Sequence, residues 1–437
     1  MINTYQYREN LRRRVFRTVP VPQDLRGLAD IDTAAEVNPA AADLSEEAVA
    51  RVLGACEDLY RSGAYPMLSL CLRRRGQIVI NRTFGHAAED RVATLNTPVC
   101  LFSASKAVSA VLIHLLAQQG EVNLLHPVSH YIPAFAAKGK GCITILQLLT
   151  HRSGIAKIPP GTDLDLLYDH DGALALICDA APTDANARVQ GYHAVTSGFI
   201  FNELIKITTG LDAQQFLYRY ISKPMGMRYF RFGLNKRDQP HVAVNTATGL
   251  DSSLINRALA SVLGAHPDTV VAMTNDPRFY KAVIPSANLF ATAEEVSRFY
   301  QMLLNQGQWQ GKNILDPLTV HQAVRPLGGF QFDRSLMLPM RYSAGFMLGG
   351  SPVGIYGLDT QYAYGHLGYA NIFGWADPQR DIAVSLMNTG KLVLGPHIKP
   401  LMSLMNAISS ECYPVVDMTS DTPRFLQQRR TAKSAGT

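Results

Sequence analysis

The chain has 437 residues, 47% hydrophobic and 17% charged, which is the composition of an ordinary globular protein with room for two or three folding units. Its net charge is +6, and much of the excess sits in short runs: Arg12 to Arg14, Arg73 to Arg75, and Arg429, Arg430 and Lys433. No long basic helix interleaved with aromatics is present, so nucleic-acid binding has little support, and the runs read as solvated faces and termini.

Residues 1–45 are polar and weakly periodic, and read as an extension draped on the surface or partly disordered. No apolar run of about 7–15 residues follows their basic cluster, so no signal peptide is read. Residues 46–62 repeat apolar positions at helical spacing, and Met67–Leu72 and Gln77–Phe84 read as strands joined by a polar connection, Arg73–Gly76. A helix is predicted from Ser103 to Gln119, closed by Gly120. The mostly apolar run inside it, Ala107 to Ala117, is too short for a membrane span of about 20 residues.

Residues 121–280 carry further helical stretches, including Ile145–Leu149 and Gly198–Thr209, separated by loops rich in Gly, Pro and Asp. Residues 292–306 read as a helix with Thr292 as N-cap and Glu295 completing a capping box. Strands are then predicted at Arg341–Leu348, Ala363–His366, Ala370–Ala376 and Asp381–Met387, followed by a helix over His397–Ser409 and a polar tail. The six cysteines are scattered without a Cys-x-x-Cys pair, so a zinc site built on such pairs is not expected, and a reduced, cytoplasmic setting is.

Strands early and late with helices between them define an α+β architecture. An antiparallel sheet flanked by helices would be built from residues 46–135 and 285–415, with a mostly helical domain, 136–284, inserted. The extension 1–45 and the tail 416–437 lie outside it. A cleft between two such units is a usual place for an active site.

Three segments carry chemistry. Ser103 and Lys106 stand three apart at the start of a predicted helix, which puts both on one face about 5–6 Å apart at Cβ. A serine hydroxyl needs a base, and a lysine serves as one if burial lowers its pKa. Four residues with two fixed are a weak signal, and alone they read more readily as a helix cap beside a solvated lysine. The second segment is Gly191-Tyr192-His193-Ala194; a tyrosine phenol shuttles protons if a nearby ammonium lowers its pKa, and otherwise is a packed, hydrogen-bonded side chain. The third is Tyr364-Gly365-His366-Leu367-Gly368-Tyr369, where glycines on a strand let a substrate approach its edge and an edge N–H could join that of Ser103 at a developing oxyanion.

In this order the three segments resemble the serine β-lactamase and penicillin-binding-protein superfamily, whose signature is Ser-x-x-Lys, a Tyr or Ser element, and Lys-Thr-Gly or a variant. The nearer likeness is to its esterase branch, the family VIII carboxylesterases. It extends over about residues 50–412, through Leu148 to Gly154, Ile284 to Asn288 and Trp375-Ala376-Asp377-Pro378. The resemblance implies that Ser103 is the acylated nucleophile, Lys106 its base or proton relay, and Tyr192 their partner in activation and in protonating the leaving group. It implies an oxyanion hole from the N–H groups of Ser103 and Tyr369, with His366, Leu367 and Gly368 against the substrate.

Two positions depart from the lactamase pattern. Ala194 stands where an Asn would hold a lactam side chain, and His366 stands where a Lys would pair with its carboxylate, so that cation is missing or pH-dependent. Both changes disfavour anionic lactams and leave ester chemistry open. The expected function is therefore a carboxylesterase for short- to medium-chain esters. Alternatives are an acyltransferase, an amide or D-aminopeptide hydrolase, or a weak β-lactamase on the same site, and a non-catalytic sensing module that keeps the fold. The expected partner is a small ester or amide; no metal or other cofactor is implied, and nothing points to an oligomeric state.

Overall fold

The structure, a computed structural model, describes residues 16–159, 161–184 and 189–418. The basic runs at the two ends, the first third of the extension and nearly all of the tail lie outside these residues. The helix Glu46–Arg61 (α1) is capped by Ser45, whose Oγ accepts from the Ala48 N–H at 3.1 Å. It is followed by the strands Met67–Arg74 (β1) and Gln77–Ala88 (β2). Near the other end come the helix Ala293–Leu304 (α2) and the strands Tyr364–Gly368 (β3), Ile372–Asp377 (β4) and Ile382–Asn388 (β5), then the helix Ile398–Glu411 (α3).

Among the described residues these five strands belong to one eight-stranded sheet. Its central path runs β3-β4-β5-β1-β2, and every neighbouring pair on it is antiparallel. The two ends of the chain meet at β5 and β1, where Val384 lies opposite Leu72 and Leu386 opposite Leu70. Leu68, Leu70 and Leu72 of β1 share a core with Val52, Leu59, Leu404 and Ile408 of α1 and α3. Met67 and Cys71, on the alternate face, share another with Val296, Phe299 and Leu303 of α2. A fully buried leucine contributes about 1.5–3 kcal/mol, so a sheet covered on both faces is well supported. This is the expected α+β, β-lactamase-like fold.

The sequence reading holds well where periodicity is strong and fails at turns. The capping box at Thr292 and Glu295 is present, and α2 begins at Ala293. The strand predicted over Arg341–Leu348 is broken. Ser343 to Phe346 close a turn, in which the Phe346 N–H donates to Ser343 Oγ at 3.2 Å, so only Met347–Leu348 joins the sheet. Ahead of the turn, Leu338–Met340 pairs with Gln331–Asp333 in a separate hairpin. Ala370 and Asn371 form the turn between β3 and β4 rather than strand.

The Arg73–Arg75 run is not a solvated face. Arg73 and Arg74 are the last two residues of β1 and are buried, leaving Arg75 and Gly76 as the connection. Arg73 pairs with Glu294 and donates to Ser297 Oγ at 3.0 Å. Arg74 donates to the carbonyls of Ala42, Arg380 and Tyr413. Guanidinium donors thus find fixed acceptors, which offsets the cost of their burial.

Five cysteines are buried and Cys142 is exposed; all six are free thiols. Among the described residues no helix is long and apolar enough to cross a membrane.

Candidate active site

The predicted helix at Ser103 starts later than expected. Phe102 has φ 48°, in the left-handed region that a bulky residue seldom adopts, and Phe102–Ala104 form a 3-10 turn. The helix proper is Ser105–Gln118, and every residue from Ser105 to Leu116 is buried. Ser103 therefore sits on a sharp corner leading into a central helix, and Lys106 lies in that helix's first turn with its amine withdrawn from water.

The Lys106 ammonium position has three neighbours. Nζ lies 3.1 Å from Ser103 Oγ, 2.7 Å from the Ala194 carbonyl and 2.9 Å from the Ser286 carbonyl. Among the described residues no carboxylate pairs with it, and burial holds its pKa well below the usual lysine value. A neutral amine has two N–H bonds and one lone pair. Carbonyl oxygens only accept, so in the neutral form of the amine Ala194 and Ser286 take the two N–H bonds and the lone pair is left for the Ser103 hydroxyl. That is the arrangement a general base needs.

Tyr192 joins this pair. Lys106 Nζ stands 4.9 Å from the centre of its ring, and its hydroxyl is buried without a well-formed hydrogen bond among the described residues. The condition of a phenol pKa lowered by a nearby ammonium is not met. Burial pushes it up, the Asp333 carboxylate adds to the rise, and the Ser103 hydroxyl opposes it. Tyr192 is thus a neutral phenol, a donor rather than a phenolate. Its backbone is held by Asp333, which accepts from the N–H groups of Tyr192 (3.1 Å), Ser335 (2.9 Å) and Leu336 (3.0 Å) and from the Tyr342 hydroxyl (3.0 Å). Next along the chain, His193 Nε2 meets Ser153 Oγ at 2.8 Å and its N–H donates to His151 Nδ1 at 3.2 Å. Burial pushes His193 down to about 3, so this polar floor is uncharged.

The third segment is arranged differently from the expectation. His366 is 1% exposed, and its Nδ1 donates to the Leu367 carbonyl at 2.7 Å. Burial, with Lys106 nearby, pushes it down to about 3, so it carries no charge at ordinary pH. The lactam-pairing cation is therefore missing, not pH-dependent. The glycines of β3 serve protein packing rather than substrate approach. A Cβ on Gly368 would lie 2.2 Å from the Leu101 carbonyl, and one on Gly365 would lie 2.2 Å from the Gly374 carbonyl. Gly368 thus lets the end of β3 press against the residue two before Ser103.

A cavity of about 110 Å³ opens beside Ser103. Tyr192 and Tyr369 line it with Ser103, and its apolar wall comes from Leu164, Leu167, Val270 and Met273 among others. His366, Leu367 and Gly368 do not line it. Among the described residues, no protein acceptor takes the N–H of Ser103 or of Tyr369. The structure thus brings Ser103, Lys106, Tyr192 and Tyr369 together; outside the lining of this cavity, the His366 ring lies 6.0 Å from that of Tyr192, and Leu367 packs against the cluster that holds Tyr192.

Ser286, Asp333 and the main-chain role of Ala194 were not foreseen. Two of them act through carbonyl oxygens, which every residue carries, and Asp333 stands in no motif. Only the order of segments, with Ile284 to Asn288 returning toward the sheet, hinted that Ser286 comes near the nucleophile.

A serine and a buried lysine one turn apart, on a helix against an antiparallel sheet, define the class as a serine hydrolase of β-lactamase-like fold. The chain belongs to the β-lactamase family, whose model matches residues 46–397. It is 28% identical over 300 residues to the esterase/beta-lactamase LipL of Mycobacterium tuberculosis, covering 66% of this chain and 68% of that protein. It is 24% identical over 254 residues to Protein flp of Staphylococcus aureus, covering 56% of this chain and 46% of that protein. A crystal structure of a family VIII carboxylesterase superposes with TM-score 0.73 at 24% identity, over 85% of this chain and 99% of the other. A penicillin-binding-protein homolog from Caulobacter crescentus gives TM-score 0.73 at 24% identity, over 84% and 98%.

Proposed function

We propose that this protein is a carboxylesterase that hydrolyses uncharged esters of short- to medium-chain acids through an acyl-enzyme on Ser103. The observation that carries this reading is the setting of the buried Lys106, whose Nζ lies within hydrogen-bond distance of Ser103 Oγ and of the Ala194 and Ser286 carbonyls, so that the neutral amine turns its lone pair to the serine. Lys106 takes the hydroxyl proton as Oγ forms its bond to the ester carbonyl carbon. The carbonyl oxygen becomes an oxyanion, met by the free N–H groups of Ser103 and Tyr369. Tyr192, a neutral phenol, gives its proton to the departing alkoxide, and the proton held by Lys106 replaces it. Water then attacks the acyl-enzyme by the reverse of these transfers, releasing the acid.

The apolar lining of the cavity supports an uncharged acyl group, and its modest volume supports a short one. The neutral His366 and the absence of a side-chain amide at Ala194 argue against anionic lactams. Hydrolysis of p-nitrophenyl butyrate tests the reading, with mass spectrometry of the trapped adduct. Ser103→Ala should fall to the uncatalysed rate and lose the adduct. A folded Ser103→Ala variant that retains turnover would sink the proposal. A panel of p-nitrophenyl esters, nitrocefin and a D-alanyl amide should rank the esters first; a preference for nitrocefin would move the protein to the lactamases.

A further inference from the structure

Behind the turn that carries Ser103 lies a second polar cluster, which the reaction as described does not use. Lys391 is 3% exposed, and its Nζ donates to the Asn388 carbonyl at 3.0 Å and lies 3.5 Å from Asn388 Oδ1. The same ammonium stands 4.6 Å from the centre of the Phe102 ring. Asn388 is fully buried at the end of β5, and its Nδ2 donates to the carbonyls of Ala370 (3.1 Å) and Asn371 (2.8 Å). This fixes which way the amide points: reversing it would set Oδ1 against two carbonyl oxygens and Nδ2 against a lysine. Asn371 continues the network, donating to the Leu392 carbonyl at 3.2 Å and to His397 Nε2 at 3.0 Å.

These contacts converge on two turns. Ala370 and Asn371 immediately follow Tyr369, so Asn388 holds the turn that presents the Tyr369 N–H. Phe102 immediately precedes Ser103, and its left-handed backbone sets the direction of the Ser103 N–H. The Phe102 ring is fixed from two sides, by Lys391 and by an edge-on contact with Tyr369 at 5.8 Å between ring centres. A bulky residue in the left-handed region is strained and persists only where its surroundings over-determine it.

We infer that Asn388 and Lys391 are positioning residues for the oxyanion pocket, the end of β5 and the short segment after it locking both turns that aim its two N–H donors. The inference rests on the reading of the Ser103 and Tyr369 N–H groups as that pocket. Donors of this kind act only when set about 2.7–3.1 Å from the place the oxyanion will occupy, so a loosened turn loses rate without losing the nucleophile.

The test compares kcat for a p-nitrophenyl ester and for its thiono analogue, whose longer C=S bond and weaker acceptor fit such a pocket poorly. Wild-type protein should prefer the oxygen ester by about 100-fold or more. Asn388→Ser should lower kcat on the oxygen ester by about 10- to 100-fold with KM within about twofold, and narrow the oxygen-to-sulfur ratio by about tenfold. Lys391→Met, which removes a buried amine and keeps the bulk, should shift both quantities the same way by a smaller factor; it carries the test if Asn388→Ser does not fold. Near-UV circular dichroism checks that each variant is native. Native variants that keep the wild-type ratio would overturn the inference and leave the oxyanion reading standing. A wild-type ratio near one would remove the oxyanion reading, and the inference with it.

Discussion

Two buried lysines attend one short turn, and they differ in what their amines meet. Lys106 faces two carbonyls and the hydroxyl of Ser103. Lys391 faces the carbonyl and amide oxygen of Asn388 and the ring of Phe102. Both are fully enclosed, and burial lowers both, Lys391 to about 7 and Lys106 well below its usual value. Depressed basicity alone therefore does not mark a catalytic base. Lys106 has an acidic O–H in front of its lone pair, whereas Lys391 has only acceptors and a π face. The neighbour's chemistry separates a group that moves protons from one that holds a turn in place.

The largest test of that contrast is Lys106→Met. It should reduce kcat on a p-nitrophenyl ester by about 10³- to 10⁴-fold, the upper part of the range that positioned acid–base groups supply, with Lys391→Met far milder. The same change should stabilise the protein. Because the folded-state pKa of Lys106 lies below 10.5, the unfolded chain binds its proton more readily. Wild-type stability should then rise with pH from the folded-state value of Lys106 up to about 10.5, and Lys106→Met should lose that part of the slope. Urea melts between pH 6 and 10 would show it. Activity has the same sign: it should fall as pH drops and the amine takes a proton. If Lys106→Met and Lys391→Met cost activity equally, the contrast between the two lysines collapses.

Next in size is Tyr192→Phe. It keeps the ring beside Lys106 and removes the phenol, so the leaving group loses its donor. A fall in kcat of about 10²- to 10³-fold is expected, smallest for esters of acidic alcohols, which need little protonation. Comparing p-nitrophenyl with ethyl butyrate reads this directly. An equal loss on both would assign Tyr192 to packing or to activating Ser103 rather than to the leaving group.

How far the sequence foretold this site depends on the kind of atom involved. Ser103 and Lys106 announce themselves because their side chains react and helical spacing puts them together. Tyr192 was found by the order of segments. The fold was legible from strands at both ends of the chain and a strong capping box at Thr292. What could not be read was whatever depends on burial or on main-chain atoms. His366 is visible as a replacement for a lysine, but its loss of charge comes from its enclosure. The glycines of β3 suggested room for substrate, and the room is filled by the Leu101 and Gly374 carbonyls. The arginines after Leu72 looked like a surface turn because their acceptors lie hundreds of residues away, at Glu294 and Arg380.

Asp333 gives the smallest and most discriminating effect. Its carboxylate gathers three N–H groups and the Tyr342 hydroxyl, one of those N–H groups being that of Tyr192. Asp333→Asn keeps the shape and one good acceptor but turns an NH₂ group toward donors, leaving at least one buried pair unmatched. A stability loss of about 1–3 kcal/mol is expected, read as a shift of the urea midpoint. Because Asp333 touches the backbone of Tyr192 and neither Ser103 nor Lys106, the pH at which activity falls should stay that of the wild type. Meanwhile kcat should drop by about tenfold, more on ethyl than on p-nitrophenyl butyrate. A change confined to stability would mean that the hairpin bearing Asp333 is a scaffold only. A shifted pH profile would mean that its charge reaches Lys106, and would place the electrostatic boundary of the site farther out than the contacts do.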